Sequence, residues 1–331
     1  MVKPDFSEVK HLFLAYPEGF GNEYEELAPF FDLLITKIPQ EIILVLIVNN
    51  SLTKEKLRYK VKRKNLQIII YRNWNEIWLR DIFGLLNNDY IIKPVYDPNF
   101  CNYLSSTRNF RQLNNSAIEI IKEVLQKGVL QLPIKLDGGN FISNSSFAFI
   151  TDKVFRDNDL AEDDLKSLIR DSLGVIPIVI PTAKNDVVGH SDGYMAFISE
   201  NMLCVSQYPK MDSFKEDNRY LQGVGEFASG LDLRLIPIYE RPLGYSIKCE
   251  CDLQTKRKCC TFSANGVYVN FLRLNNTIIL PEYTLPTLKE TLYYNSINEL
   301  ELSRLGFQVI KINCDQLANH GGVLRCLSFT A

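Results

Sequence analysis

One unit recurs along this chain and constrains its fold more than any other feature: a strand-like segment meets a short polar turn and returns as a second strand. Trp78 to Leu86 turns at Asn87-Asn88-Asp89 and returns as Tyr90 to Val95. Asn140 to Ser143 turns at Asn144-Ser145-Ser146 into Phe147 to Ile150, and Gly193 to Ile198 turns at Ser199-Glu200-Asn201 into Met202 to Val205. Val267 to Leu274 turns at Asn275-Asn276 into Thr277 to Leu280. Most of these hairpins are followed by a helix and a further strand. The repeat is roughly fifty to eighty residues long, too long for a solenoid and compatible with a propeller-like array. A last unit, Gly321 to Phe329, is cut short, so the N-terminal strands are expected to complete it. No proline- or serine-rich linker interrupts the series, and residues 1–331 read as a single closed domain.

The remaining segments alternate helix and strand, which makes the chain α/β. Strands are expected at His11 to Tyr16, Ile42 to Val48, Leu66 to Tyr71, Val175 to Ile180, Leu233 to Ile238 and Gln308 to Ile312. Helices are expected at about Tyr24 to Lys37, Ser51 to Lys60 with Ser51 as N-cap, Asn115 to Lys127, Asn158 to Ser172, Lys215 to Ser229 and Leu285 to Leu300. With 46% hydrophobic and 23% charged residues, the chain has ample apolar mass for a large core. A net charge of −2 gives no basic field for nucleic acid. Met1 to Lys10 lacks the apolar stretch of a signal peptide, and Ile42 to Val48 is too short to span a bilayer. These features point to a cytoplasmic protein with no membrane partner. Its eight cysteines would be mostly thiols rather than a disulfide scaffold.

Titratable residues stand at equivalent places in the repeats. The first repeat opens with Trp78-Leu79-Arg80-Asp81, the second with Asp137-Gly138-Gly139-Asn140, and the third with Gly189-His190-Ser191-Asp192. The last has Gly321-Gly322 before Cys326. In a circular array, equivalent positions converge on one axis. The combination suits a guanidinium, which is planar and cationic and is held by carboxylates that accept its N–H groups in a fork. Asp81 and Asp192 are candidates for that grip. Attack on the central carbon calls for a soft nucleophile such as the Cys326 thiolate. His190 is suited to protonate the leaving nitrogen and then to deprotonate water, with Asp137 orienting it. If His190 and Asp192 lay on a strand, their spacing would put both on one face. Taken singly, each motif has a plainer reading: a His-x-Asp is commonly a satisfied polar pair, Asp-Gly-Gly a turn, and Arg80-Asp81 a structural ion pair. Their joint placement carries the argument.

These blocks resemble the signature blocks of the agmatine deiminase and bacterial peptidylarginine deiminase family. The segments Tyr268-Val269-Asn270-Phe271-Leu272, Ile278-Ile279-Leu280-Pro281 and the opening His11-Leu12-Phe13-Leu14-Ala15-Tyr16-Pro17 are similar to further blocks, in order, from about residue 11 to residue 326. The resemblance implies a five-bladed ββαβ propeller, the pentein fold, and a covalent amidino-thiol intermediate formed without metal or cofactor. Carried over by position, Cys326 is the nucleophile, His190 the acid and base, and Asp137 its acidic partner. Asp81 and Asp192 hold the guanidinium, and Trp78, Arg80 and Asn140 stand on the substrate side. Three features depart from the pattern, the first being Leu327-Ser328-Phe329 where agmatine deiminases carry a polar run after the cysteine. Asp137 replaces the usual glutamate, as in the amidinotransferase branch, and Arg325 replaces the usual histidine before the cysteine.

The expected reaction is hydrolysis of a small cationic guanidine, agmatine or arginine, to a ureido product and ammonia, as in putrescine and polyamine biosynthesis. An amidinotransferase, or a non-catalytic pentein that binds a cationic ligand, are the alternatives. A homo-oligomer is compatible with the sequence. Cys249, Cys251, Cys259 and Cys260 surround Lys256-Arg257-Lys258 without the paired C-x-x-C spacing of a zinc site, so a mobile rim loop or an oxidisable patch is expected there. The paired glycines lack the context of a phosphate-binding loop.

Overall fold

The computed structural model describes residues 1–98, 109–184, 186, 188–243 and 263–331. Its strands fall into five small sheets that follow one plan. The parallel strands β1 (His11–Ala15), β2 (Ile43–Val48) and β3 (Leu66–Ile70) begin the first sheet. β2 is an unbroken apolar run, as a parallel strand buried on both faces requires. In the second sheet β4 (Leu85–Leu86) and β5 (Tyr90–Val95) form an antiparallel hairpin, and β6 (Gly128–Lys135) adds to β5 in parallel. The order repeats in β7 (Ile142–Ser143), β8 (Phe147–Thr151) and β9 (Ile176–Ile180). It repeats again in β10 (Met195–Ser199), β11 (Met202–Gln207) and β12 (Arg234–Tyr239). The fifth sheet is β13 (Leu272–Leu274), β14 (Thr277–Glu282) and β15 (Gln308–Asn313). Finally β16 (Ser328–Thr330) lies antiparallel beside β1. The C-terminal strand thus completes the N-terminal sheet, and Phe13 of β1 packs on Phe329 of β16 and on Phe83 with ring centroids 5.6 and 5.7 Å apart.

Several expected elements are placed differently. Leu79–Phe83 is a short helical turn rather than strand, and only Leu85–Leu86 of that segment pairs. The buried Glu76 starts the turn by accepting the amides of Ile77 and Trp78, and Gly84 ends it at a φ of +94°. The helix at Ser51–Lys60 is capped by Asn50, whose side chain accepts the Thr53 amide at 2.8 Å, rather than by Ser51. The helix expected from Asn158 to Ser172 is Glu162–Leu173, and a short helix not expected from the sequence, Lys153–Asp157, precedes it. Asn158 separates them because its amide is bound to the backbone of Lys135 on β6. β6 itself carries Pro133 and a register irregularity against β5, which masks its strand pattern. His190 and Asp192 belong to a tight turn, Ser191–Gly193, not to a strand.

Among the described residues no helix is long and apolar enough to cross a membrane, and no group of three or more His, Cys, Asp or Glu side chains is arranged to hold a metal ion. The cysteines at 249, 251, 259 and 260 lie outside the described residues.

Candidate active site

Each site segment sits just ahead of a hairpin or just after a parallel strand, where the chain leaves its sheet. Two buried glutamates fix such exits by the same device. Glu76, after β3, holds the amides of Ile77 and Trp78, and Glu240, after β12, holds those of Tyr268 and Val269 at 3.1 and 2.9 Å. Burial pushes the Glu240 carboxyl up to about 8. Trp78 is positioned directly by Glu76, and Asn270 as the residue after Val269.

The turn at Gly138–Asn140 is where the segments meet. A methyl group placed on Gly139 would lie 2.6 Å from His190 Nδ1, 2.8 Å from Asp81 Oδ1 and 3.2 Å from Asp192 Oδ2. Three groups from two other segments, the Leu79–Phe83 turn and the His190–Asp192 turn, thus crowd a single Cα, and only glycine fits among them. Gly138 is as constrained, since its methyl would meet the Arg80 carbonyl at 2.0 Å. The Gly139 amide donates to Asp81 Oδ1 at 2.8 Å. Asn140, expected on the substrate side, instead spends its side-chain oxygen on the amides of Thr151 (2.8 Å) and Ser191 (3.3 Å). It ties the Gly138–Asn140 turn to the His190 turn.

His190 is buried, with Nε2 3.0 Å from Asp137 Oδ2 and Nδ1 3.7 Å from Asp81 Oδ1. Asp137 Oδ2 also accepts from Lys153 Nζ at 2.9 Å, and Lys153 pairs in turn with Asp157. Burial alone would raise the Asp137 carboxyl, but Lys153 and His190 outweigh it and hold the group well below the usual carboxylate range. Burial would likewise lower His190, but Asp81 and Asp137 outweigh it and raise the imidazole to about 9. His190 is therefore an imidazolium at neutral pH, with two carboxylates beside it. Asp81 is raised to about 6 by burial and by its acidic neighbours Asp137 and Asp192, against the favourable pull of His190.

Cys326 enters from the other side. Its Sγ lies 3.3 Å from Asn270 Oδ1, which also accepts the amides of Arg325 and Cys326. Asn270 Nδ2 donates to the Asp192 carbonyl at 3.1 Å, which links the cysteine turn to the carboxylate turn. Burial, followed by the charges of Asp192 and Asp81, pushes the Cys326 thiol well up. A methyl on Gly322 would touch both the Trp78 ring (2.6 Å) and Cys326 Cβ (3.1 Å), so the indole forms the wall next to the cysteine. Trp78 Nε1 donates to the Tyr24 hydroxyl at 3.0 Å.

Two expected substrate-side residues also meet other groups. Asp192 Oδ2 accepts Arg325 Nη1 at 2.7 Å, so this carboxylate already holds a guanidinium of the chain itself. The Arg80 side chain lines a separate cavity formed with the N-terminal segment. Sequence reasoning missed Lys153, Asn270 as a partner of the thiol, and Asp5, whose Oδ1 accepts Arg325 Nη2 at 3.0 Å. A lysine just after the buried strand β8 was the available signal for the first, and an asparagine flanked by apolar residues for the second.

A sequence model of the Porphyromonas-type peptidyl-arginine deiminase family matches residues 1–331. No curated protein sequence matches the chain. Among solved structures, C. jejuni agmatine deiminase is similar at 18% identity and a TM-score of 0.77, covering 100% of this chain and 96% of the other. The agmatine deiminase of Enterococcus faecalis is similar at 15% identity and a TM-score of 0.74, covering 99% and 94%. A dimethylarginine dimethylaminohydrolase from Pseudomonas aeruginosa is more distant, at 13% identity, a TM-score of 0.54 and coverage of 98% and 100%. At these identities the likenesses establish a shared mixed α/β fold of the pentein type. The whole-length match shows more: the chain belongs to the Porphyromonas-type peptidyl-arginine deiminase family, hydrolases that act on C–N bonds of linear amidines.

Proposed function

We propose that the chain hydrolyses the guanidino group of a small guanidine, agmatine or arginine, to a ureido group with release of ammonia, through a covalent intermediate on Cys326. The convergence of Asp81, Asp192 and His190 on the Cα of Gly139, with Cys326 linked to the same turn through Asn270, carries this reading. The solved agmatine deiminases of similar fold support it. On this reading the five sheets are the blades of a pentein propeller, and the site lies where their exits meet.

The electrostatics suggest an order of events. Burial, and after it the charges of Asp192 and Asp81, push the Cys326 thiol up. A guanidinium held by Asp81 and the free edge of Asp192 cancels that field, and the thiol releases its proton to solvent. The thiolate then bonds to the guanidinium carbon. The His190 imidazolium gives its proton to one terminal nitrogen, and ammonia departs with the electrons of the broken C–N bond. What remains is an amidinium bonded to Cys326, beside a neutral imidazole. Neutral His190 takes a proton from water as the hydroxide adds to the same carbon. Collapse breaks the C–S bond, returns the thiolate and yields the ureido product with release of one proton. Asp137 stays ionised throughout because Lys153 and His190 both donate to its Oδ2.

The test is ammonia release and ureido formation across agmatine, arginine and arginyl peptides, with and without added amines. Turnover on a small guanidine in water, absent in Cys326→Ser, supports the reading. Product that forms only when an amine is supplied makes the chain an amidinotransferase, and no turnover with any guanidine refutes both.

A further inference from the structure

A second polar cavity, of about 40 Å³, lies between the N-terminal segment and the edge of the core, and none of Cys326, His190, Asp81, Asp137 or Asp192 lines it. Arg80, Ser143 and Lys3 do. The Arg80 guanidinium makes no hydrogen bond or ion pair with a described residue, and its Nε is buried without a partner. Ser143 is 1% exposed, and its hydroxyl is also buried without a partner. Two orphan donors, one of them carrying a full charge, therefore border the same small space.

The carboxylates nearby are committed elsewhere. Asp5 Oδ1 accepts Arg325 Nη2 at 3.0 Å and Asp5 Oδ2 accepts the Ser143 amide at 3.1 Å. Asp192 Oδ2 accepts Arg325 Nη1, and Glu8, the other acid on the cavity wall, is exposed. Arg325 thus takes the acceptors that Arg80 would need and adds its own positive charge next to it. Arg80 as a whole is only partly buried, but its Nε and the Ser143 hydroxyl are buried without partners, and an unsatisfied buried group calls for an unseen ion or water. Water can satisfy one donor at a time but brings no charge. An anion accepts from the guanidinium fork and the hydroxyl together. The space holds roughly three water-sized groups, which admits a halide or a similarly small monovalent anion and is too tight for an organic phosphate.

We propose that Arg80 and Ser143, with Lys3 at the wall, form a binding site for a small monovalent anion of halide size. The site stands apart from the deiminase reading and does not depend on it. Its effect would still reach the nucleophile, because the Arg80 amide donates to the Cys326 carbonyl at 3.1 Å. Crystals of the full chain soaked in sodium bromide, measured at the bromine absorption edge, test it directly. The expected result is an anomalous peak in contact with the Arg80 guanidinium and the Ser143 hydroxyl. In solution, the thermal midpoint should rise with chloride replacing gluconate at constant ionic strength, and the rise should shrink in Ser143→Ala. Arg80→Met should abolish both signals. If that variant fails to fold, the wild-type crystal and Ser143→Ala still decide. Ordered water alone at Arg80 under saturating bromide, or a midpoint indifferent to chloride, overturns the proposal.

Discussion

Arg325 donates to Asp192 at 2.7 Å and to Asp5 at 3.0 Å, so the chain lays its own guanidinium along one of the carboxylates proposed to hold the substrate's. The two carboxylates of the grip are therefore not equivalent. Asp81 is engaged by a backbone amide and faces His190, whereas Asp192 also carries a buried ion pair.

The asymmetry predicts different outcomes for the two asparagine variants. Asp81→Asn removes a charge-assisted anchor worth about 1.5–3 kcal/mol, so KM should rise about 10- to 100-fold with little change in thermal stability. Asp192→Asn should raise KM and also destabilise the fold by about 1.5–3 kcal/mol, because the buried Arg325 loses one of its two carboxylate partners and is left with Asp5. Steady-state kinetics beside denaturant unfolding separate the two effects. Equal stability of the two variants would contradict the assignment.

Lys153 should matter through Asp137 and His190 rather than through substrate. Lys153→Met leaves Asp137 and Asp157 buried with less positive charge, and a stability loss of about 3–5 kcal/mol is expected. In Lys153→Met/Asp157→Asn, which also neutralises the second acid, His190 should titrate higher than in the wild type, because Asp137 no longer shares its oxygen with a cation. Histidine chemical shifts across a pH titration read this, and an unmoved His190 would deny Lys153 any tuning role.

The charge states set the pH dependence. Asp81 must be ionised to hold a guanidinium, so kcat/KM should rise as pH passes about 6. His190 must be protonated to release ammonia, so kcat/KM should fall as pH passes about 9. Linkage gives His190 a matching sign in stability. Its folded pKa is raised above the ordinary 6.5, so its contribution is complete below about 6.5 and is lost as pH rises through about 9. A profile without an alkaline limb near 9 would remove His190 from the acid role.

Asn270 offers a neutral acceptor 3.3 Å from Sγ. Asn270→Asp would set a third negative charge on the thiol and push it further up, so alkylation of Cys326 by iodoacetamide at pH 8 should slow by at least about tenfold. Asn270→Ala removes the contact without adding charge and should slow it less. Faster alkylation in the aspartate variant would contradict the electrostatic account.

Much of the plan of this molecule was legible in the sequence because it rests on local chemistry. Polar turns such as Asn144-Ser145-Ser146 punctuate the hairpins, and the side chain of Asn144 does cap its turn by accepting the amides of Ser146 and Phe147. The meeting of Asp137 with His190 followed from placing both at repeat openings. What escaped were features set by contacts between distant segments. Leu79–Phe83 reads as strand by its apolar content, but Glu76 holds the amides that start a helical turn. Asp192 reads as free to bind substrate, and only the fold brings Arg325, 133 residues away, onto its oxygen. Lys153 went unread, because its place just after β8 hints at burial but does not announce that Asp137 and Asp157 will enclose it.

The central claim is that Cys326 carries the substrate covalently. Enzyme mixed with excess agmatine or arginine, quenched in acid within one turnover and measured intact by mass spectrometry, tests it most directly. The account predicts a fraction of chains heavier by the substrate less one ammonia, with the addition on the peptide that holds Cys326 and absent from Cys326→Ser. Ammonia and ureido product formed at full rate by Cys326→Ser would contradict it.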